Sequence, residues 1–594
     1  MHPPPPAAGT TSRLRAALLV GFLAVVACTP TSAPSPPPPA TPTPVASPDF
    51  RAEQSTQPPQ RAEASATWGD EILCPNPSAP GVFVDVTESA GLVYVSQTPA
   101  VAPLFDGTAD YTSADVESAG GFGAGDLDGD GHIDLLFTDS RGPMHLFLGD
   151  GALGFESVIP THRGLPAGGV WRHSISLVDV EGDGDLDVYL LNRFDNELFL
   201  NDGAGMFSDA TEAFGLGDGQ HRSLTASWAD YDRDSDLDLF VANWGAGSDG
   251  AEGKPFDRDA LYVQRAPGVF EFSDALPPSP GFAFVGGWFD ADDDGWLDLY
   301  VANDVATQVE AHAPNVFLRN AGGPPDRVLL VPAPEAGLDR RMLGMGLGLG
   351  DLDGDGDVDV HVSNAGPTFV ARNDGEWGFV DLSAEAAGMT SSAEADISWS
   401  TFFFDHDNDG AEELFIAYGH MPTKVFDPTG PDGSRNALLQ PDRLLSRNPD
   451  SGAWQDLAAH VGLDDDRATR TAVAVDLNRD GFPELLSWAL YEGPRLSRAP
   501  CNANGWLTVQ LELPNAGNRS AIGARVEAWD GDTLVASRTV FAGSEGQATS
   551  RPPEVYLGLG LRDEVDLVVR WPDGATTRTP GLPTRRLAHV VREQ

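Results

Sequence analysis

DLDGDGHID, from Asp126 to Asp134, is the first of seven related nonapeptides. The others are DVEGDGDLD from Asp179, DYDRDSDLD from Asp230, DADDDGWLD from Asp290, DLDGDGDVD from Asp351, DHDNDGAEE from Asp405 and DLNRDGFPE from Asp476. Each places carboxylate or amide oxygens at positions 1, 3, 5 and 9, a pattern that bends the backbone into a cup of hard ligands. Calcium suits such a cup, because it accepts six to eight oxygens at about 2.3–2.6 Å in flexible geometry, a main-chain carbonyl and waters completing the shell. The same acids without a cation repel one another. An acidic surface turn is the plainer alternative, but it does not explain seven repetitions of one spacing.

The candidate ligands follow by position. They are Asp126, Asp128, Asp130 and Asp134; Asp179, Glu181, Asp183 and Asp187; Asp230, Asp232, Asp234 and Asp238; and Asp290, Asp292, Asp294 and Asp298. The last three loops add Asp351, Asp353, Asp355 and Asp359; Asp405, Asp407, Asp409 and Glu413; and Asp476, Asn478, Asp480 and Glu484. Up to seven structural calcium ions are expected. The seventh loop, with Asn478 and Pro483, departs furthest from the pattern, and Ser235 stands where other copies have a glycine.

An EF-hand shares these positions but needs a chelating Glu at position 12 and flanking helices. Position 12 here is Phe137, Leu190, Val241, Val301, Val362, Ile416 or Ser487. Each loop leads into a short apolar run such as DVYLLN or DLFVAN, which reads as a buried strand. Asn192, Asn243, Asn303 and Asn364 end four of these runs as turn formers. First aspartates lie 53, 51, 60, 61, 54 and 71 residues apart. Each interval holds about four short strands, the content of one propeller blade.

The formal charge is −52, from 89 acidic residues against 37 Lys and Arg. The seven nonapeptides hold 32 of those acids in 63 positions, so much of the charge is stored in the loops. With two lysines, Lys254 and Lys424, no polybasic patch forms, and nucleic acid and acidic lipid surfaces are excluded as partners.

Residues 1–28 read as an export signal: Arg13 and Arg15 precede an apolar run from Ala16 to Ala27. Val25-Val26-Ala27-Cys28 resembles the bacterial lipobox, which implies acylation of Cys28; ordinary cleavage beside an incidental cysteine is the alternative. Residues 29–75, rich in Pro, Thr, Ser and Ala, are expected to be a disordered linker.

The propeller is assigned to residues 76–503. Residues 82–92, VFVDVTESAGL, resemble segments that precede later loops, so the first stretch is expected to supply an outer strand to the last blade and close the ring. Such closure would bring Cys74 and Cys501 together as a disulfide; two unrelated thiols are the alternative. Residues 504–594 alternate strands and turns, indicating a separate small β-sandwich packed against the ring. Its Trp506, Trp529 and Trp571 are core or, alternatively, the lining of a sugar site.

GFGAGDLDGDGHIDLLF at 121 and GMGLGLGDLDGDGDVDVHV at 344 resemble FG-GAP or VCBS repeats, the units of integrin-α-type calcium-binding seven-bladed propellers. NGWLTVQLEL, SAIGARVEAW, EVYLGLG and VDLVVRWPDG resemble the ASPIC/UnbV module, and the combination is similar to the cartilage acidic protein family and its bacterial relatives. The resemblance implies an all-β fold, a seven-bladed propeller with a C-terminal β module, and the calcium ligands named above.

These readings converge on an exported binding or adhesion scaffold, monomeric, with a protein or glycan ligand and contact to a membrane only through a lipid on Cys28. An outer-membrane or cell-surface lipoprotein is expected, otherwise a periplasmic or secreted protein. A propeller hydrolase or lyase, and an accessory subunit of a surface complex, are the alternatives. GxSxG and HExxH motifs are absent from the sequence. His173 with Arg172 and His221 with Arg222, just before loops 2 and 3, are the candidate polar site, against ordinary strand-end hydrogen bonding.

Overall fold

The computed structural model describes residues 62–593 except 76–80, 95–119, 140–141, 169–170, 218–220, 245–257, 278–281, 305–313, 325–327, 376–377, 387–395, 420–439, 449–450, 491 and 544–545. The expected export signal, Cys28 and the expected spacer up to residue 61 lie outside the described residues. Among the described residues no helix is long and apolar enough to cross a membrane.

Each acidic loop joins the first and second strands of a four-stranded antiparallel meander. The first is Phe122–Gly125, Asp134–Phe137, His145–Gly149 and Phe155–Val158. Equivalent sheets begin at Arg172–Val178, Ser223–Ala229, Phe282–Phe289, Gly344–Gly350, Ser398–Phe404 and Thr469–Val475. First and second strands are buried along almost their whole length, whereas fourth strands such as Phe207–Asp209 bury one residue in three. That gradient explains the continuous apolar runs after each loop: both faces of an inner strand lie under neighbouring sheets. The protein is an all-β propeller of four-stranded blades.

Every neighbouring pair of blades shares an apolar cluster, and the first and last do so too. Phe122, Ala124 and Leu135 pack with Val473, Val475 and Trp488. The last sheet takes its outer strand from the other end of the chain: Val84 and Asp85 pair with Arg498 and Ser497. Closure therefore removes an open edge, as the sequence predicts. Cys74 and Cys501 are disulfide-bonded with Cα atoms 5.5 Å apart.

The C-terminal region forms two four-stranded sheets. One contains Gly505–Glu512, Glu554–Gly560 and Arg586–Val591; the other contains Arg525–Asp530, Thr533–Thr539, Glu564–Arg570 and Thr576–Pro583. The first sheet is completed by Ser65–Trp68, paired antiparallel with residues 588–591. The expectation of a spacer running to residue 75 is thus corrected: its last part caps a sheet edge that would otherwise be open. Trp571 lies in the sandwich core, and Trp506 is buried against Phe402 and Phe482 of the ring. Trp529 is half-buried, its indole N–H donating to Glu527 at 2.9 Å.

Nor is the sandwich separate from the ring. Thr549 and Ser550 pair in parallel with Phe122 and Gly123, adding a fifth strand to the first blade at its inner edge. Gly543 bridges Ser227 and Gly546 bridges Leu347, both on inner strands of other blades. A segment of the C-terminal region therefore lies in the channel.

Candidate metal centres

The loops are shaped first by their own first aspartate. Asp126 accepts the N–H of Gly129 at 2.8 Å and of Gly131 at 2.9 Å, one on each oxygen. Asp179 does the same with Gly182 and Gly184, and Asp351 with Gly354 and Gly356. Positions 4 and 6 turn through the left-handed region, where glycine is free of steric cost (Gly129, φ +75°; Gly131, φ +89°). Loop 3 holds Arg233 and Ser235 in that conformation, at +58° and +77°.

Position 9 performs a different task from the one expected. Asp134 accepts the N–H of Leu127 on one oxygen and of Gly149 on the other, both at 2.9 Å. Asp187 likewise holds Val180 and Asn201, Asp298 holds Ala291 and Asn320, and Asp359 holds Leu352 and Asn373. Each ties its loop to the third strand of its own blade. Glu413 likewise accepts the His406 N–H at 3.3 Å, and the same oxygen lies 2.6 Å from His406 Nδ1. With their lone pairs engaged by N–H donors, these groups are staples before they are ligands.

Unsatisfied oxygen collects chiefly at position 3, with single buried oxygens of Asp230, Asp238 and Glu484 besides. Asp128, Asp232, Asp292 and Asp353 each keep at least one buried carboxylate oxygen without a hydrogen-bond partner, as does Glu181 in loop 2. Among the described residues, carboxylate oxygens gather within 4.8 Å in five sets: Asp126, Asp128 and Asp134; Asp230, Asp232 and Asp234; Asp290, Asp292 and Asp294; Asp351, Asp353 and Asp355; Asp405, Asp407 and Asp409. A buried anionic oxygen lacking any donor is costly unless a cation meets it. Burial, with neighbouring carboxylates adding to it, pushes Asp134, Asp290 and Asp351 up to about 7 and Asp230 up to about 8. The donor set is hard oxygen throughout, and it fits a divalent cation of the calcium type.

The remaining expected ligands fall outside those sets: Asp130, the position-9 groups Asp238, Asp298, Asp359 and Glu413, and all of loops 2 and 7. In loop 2, Glu181 hydrogen-bonds Asp187, and burial raises both. In loop 7 the amide of Asn478 donates to Asp480 at 3.1 Å, so the site is held partly closed by its own side chains. Asp179, Asp183, Asp476 and Glu484 complete these two loops without forming a three-acid set, the side-chain substitutions at position 3 being the physical difference.

Two sets of partners are not read from the loops at all. Arg265 lies 3.6 Å from Asp232, Arg319 3.0 Å from Asp292 and Arg372 3.4 Å from Asp353, each guanidinium reaching from the third strand of its blade to position 3. Asn201, Asn320 and Asn373 donate to the position-2 carbonyls of the preceding blade's loop, Leu127, Tyr231 and Ala291, at 2.8–2.9 Å. The signal for these asparagines is present in LFLNDG, VFLRNA and FVARND, where Asn recurs at one register position.

The C-terminal sandwich covers the tips of these loops. Arg479 in loop 7 binds Glu554 at 2.5 and 2.7 Å. Asp293, at position 4 of loop 4, pairs with Arg525 and Arg570, each at 3.2 Å, and Glu412 in loop 6 pairs with Arg538 at 2.8 Å. Asn518 donates its N–H to the Ser235 carbonyl at 2.7 Å, and the Asn502 and Asn504 amides both reach the Asp407 carbonyl. The position-1 side chains are buried or half-buried and those of position 5 are mostly exposed, while position 4 of loops 4 and 7 and position 8 of loop 6 contact the sandwich. One turn thus carries both a cluster of acidic oxygens and a domain contact.

The candidate polar site behaves as strand-end structure where its contacts are defined. His173 Nδ1 is 2.8 Å from the Ser223 carbonyl of the next blade, and Arg172 pairs with Glu197 at 3.0 Å. Arg222 stacks 5.2 Å from the ring of Trp244; His221 is half-buried. Asn192, Asn243, Asn303 and Asn364 each donate to a carbonyl three to fifteen residues on, closing their strands as expected.

The FG-GAP-like repeat family matches residues 126–190, 179–241 and 351–416, and the ASPIC and UnbV family matches residues 514–594. The chain is an FG-GAP repeat protein with a C-terminal ASPIC/UnbV domain. No curated protein matches it. Similar solved structures include an Agrocybe aegerita lectin described by its recognition of non-reducing terminal N-acetylglucosamine (15% identity, 64% of this chain and 93% of that one, TM-score 0.36). BBS1N in complex with ARL6DN (9%, 71% and 98%, TM-score 0.36) and Saccharomyces cerevisiae Sqt1 (10%, 65% and 97%, TM-score 0.36) are similar at the same level.

Proposed function

We propose that this FG-GAP repeat protein is an exported, calcium-braced propeller that serves as a cell-surface or extracellular binding scaffold. The observation that carries the metal is the row of buried position-3 oxygens without hydrogen-bond partners, each gathered with further carboxylates within 4.8 Å in loops 1, 3, 4 and 5. Calcium would supply the missing positive charge and so fix each turn between the two innermost strands of its blade. Loops 2 and 7 would bind more weakly, loop 2 because its acids do not gather as a set of three and loop 7 because Asn478 and Asp480 bond to each other.

The disulfide between Cys74 and Cys501 supports an oxidising compartment, and the lipobox-like Cys28 supports tethering to a membrane outside the cytoplasm. Since the sandwich covers the loop face, the ligand, protein or glycan, is assigned to the opposite face. The channel contains Gly543, Gly546, Thr549 and Ser550, which argues against a hydrolase or lyase working there. Isothermal calorimetry of the chelated protein against calcium tests the reading. Several sites with a rise in melting temperature are expected, and an absence of binding at millimolar calcium would overturn it.

A further inference from the structure

The innermost strand of a propeller blade has one edge turned to the channel, and its backbone groups there need partners. In this chain the C-terminal domain supplies them. Phe122 donates its N–H to the Ala548 carbonyl at 3.2 Å, Trp228 to Ala542 at 3.2 Å and Leu347 to Gly546 at 2.9 Å. The Leu177 N–H donates to Ser550 Oγ at 3.0 Å, and that hydroxyl returns a bond to the Leu177 carbonyl at 3.3 Å. Four inner strands from four blades are thus read by one segment.

Both surfaces are stripped of side chains where they meet. A Cβ on Gly121 would come 2.3 Å from the Ala548 carbonyl oxygen, and one on Gly346 would come 3.0 Å from that of Gly546. Reciprocally, a Cβ on Gly543 would come 2.3 Å from the Ala226 oxygen. Gln547, Ala548, Thr549 and Ser550 are all at least 97% buried. This is the geometry of strand addition, in which main-chain bonds give affinity and the space for side chains gives selectivity.

We propose that the inner edges of the first, second, third and fifth blades form a peptide-recognition groove, with Phe541–Gly543 and Gly546–Arg551 as the ligand held in cis. The groove selects an extended peptide with glycine where 543 and 546 stand, a small residue at 548 and a hydroxyl at 550. The groove requires no bound ion. It is kept occupied because covalent linkage gives its own segment a high local concentration, so another peptide of this chemistry enters only when that segment leaves.

Hydrogen exchange on the full-length chain tests this. In the unaltered protein the amides of Phe122, Leu177, Trp228 and Leu347 should be protected. Gly543→Val should expose those of Phe122, Trp228 and Leu347 about tenfold or more, leaving second-strand amides such as Leu136 and Leu239 unchanged. A synthetic peptide of the sequence Val540–Arg551, added at about 1 mM, should restore protection, and the same peptide with valine at both glycines should not. Should Gly543→Val not fold, Ser550→Ala, which keeps every backbone bond and so leaves the segment seated, should expose Leu177 alone and gain no protection from the added peptide; exposure of Phe122, Trp228 and Leu347 as well would count against the groove. Free exchange of these amides in the unaltered chain, or failure of the glycine-bearing peptide to restore protection, overturns the proposal.

Discussion

Arg479, fourth residue of the last acidic loop, directs one guanidinium nitrogen at both oxygens of Glu554 in the C-terminal sandwich, at 2.5 and 2.7 Å. Tyr556 and Gln510 donate to the same carboxylate, leaving it fully satisfied and almost wholly buried. Burial works against its charge, yet Arg479 and these donors hold Glu554 below the usual carboxylate range. Glu554→Gln keeps the shape but strands a buried guanidinium, and should cost about 3 kcal/mol. Denaturant melting would show it as a lower midpoint. Pairing Glu554→Gln with Arg479→Met should recover part of the loss, because no charge then remains buried without a partner; no recovery would mean that the pair does not hold the domains together.

Ser235 offers a gain. It sits at φ +77° in loop 3, where most copies have glycine, and its N–H still reaches Asp230 at 3.1 Å. A non-glycine residue in the left-handed region carries a steric penalty of about 1 kcal/mol. Ser235→Gly keeps the backbone bonds to Asp230 and Asn518 and should raise the stability by about that amount. An unchanged or lower melting temperature would contradict the strain.

Within loop 1 the two kinds of acid should separate cleanly. Asp128 keeps an unbonded buried oxygen, so Asp128→Asn should weaken calcium binding while leaving the chelated protein nearly as stable as before. Asp134 holds two backbone N–H groups, and Asp134→Asn puts an amide donor against one of them. That substitution should destabilise even the chelated protein, by about 1–3 kcal/mol. Calorimetry against calcium and melting in chelator are the paired measurements; equal effects of both substitutions would erase the distinction between ligand and staple.

The division between what the sequence reveals and what it hides follows the range of the interaction. The acidic loops, the buried strands after them and the closing strand at Val84–Asp85 are legible because each is written as a local, repeated pattern. The staple role of Asp134 is not, since its partner Gly149 is an N–H fifteen residues away that any residue could provide. Ser65–Trp68 has no periodicity to mark it, and its pairing with residues 588–591 depends on a sheet edge formed at the other end of the chain. The channel segment hides for the same reason: AGSEGQATS reads as a polar loop, and only the glycines opposite it, such as Gly121 and Gly346, reveal that backbone comes this close.

Acidity gives the metal reading its sharpest test. In the ion-free chain burial lifts the first aspartates Asp290 and Asp351 up to about 7, whereas an unfolded aspartate titrates near about 3.9. The folded state therefore holds protons that the unfolded state has released, and the stability this confers is complete below about pH 4 and lost as the pH rises through about 7. Chelated protein should accordingly melt at a lower temperature at pH 8 than at pH 5, a window above the titration of depressed carboxylates such as Glu554. Calcium needs the ionised form, so its stabilising effect should grow over the same interval, and the loaded protein should gain what the chelated one loses. Melting scans at pH 5, 6, 7 and 8 with and without calcium decide it: parallel curves would show that these carboxylates are not the ion's ligands.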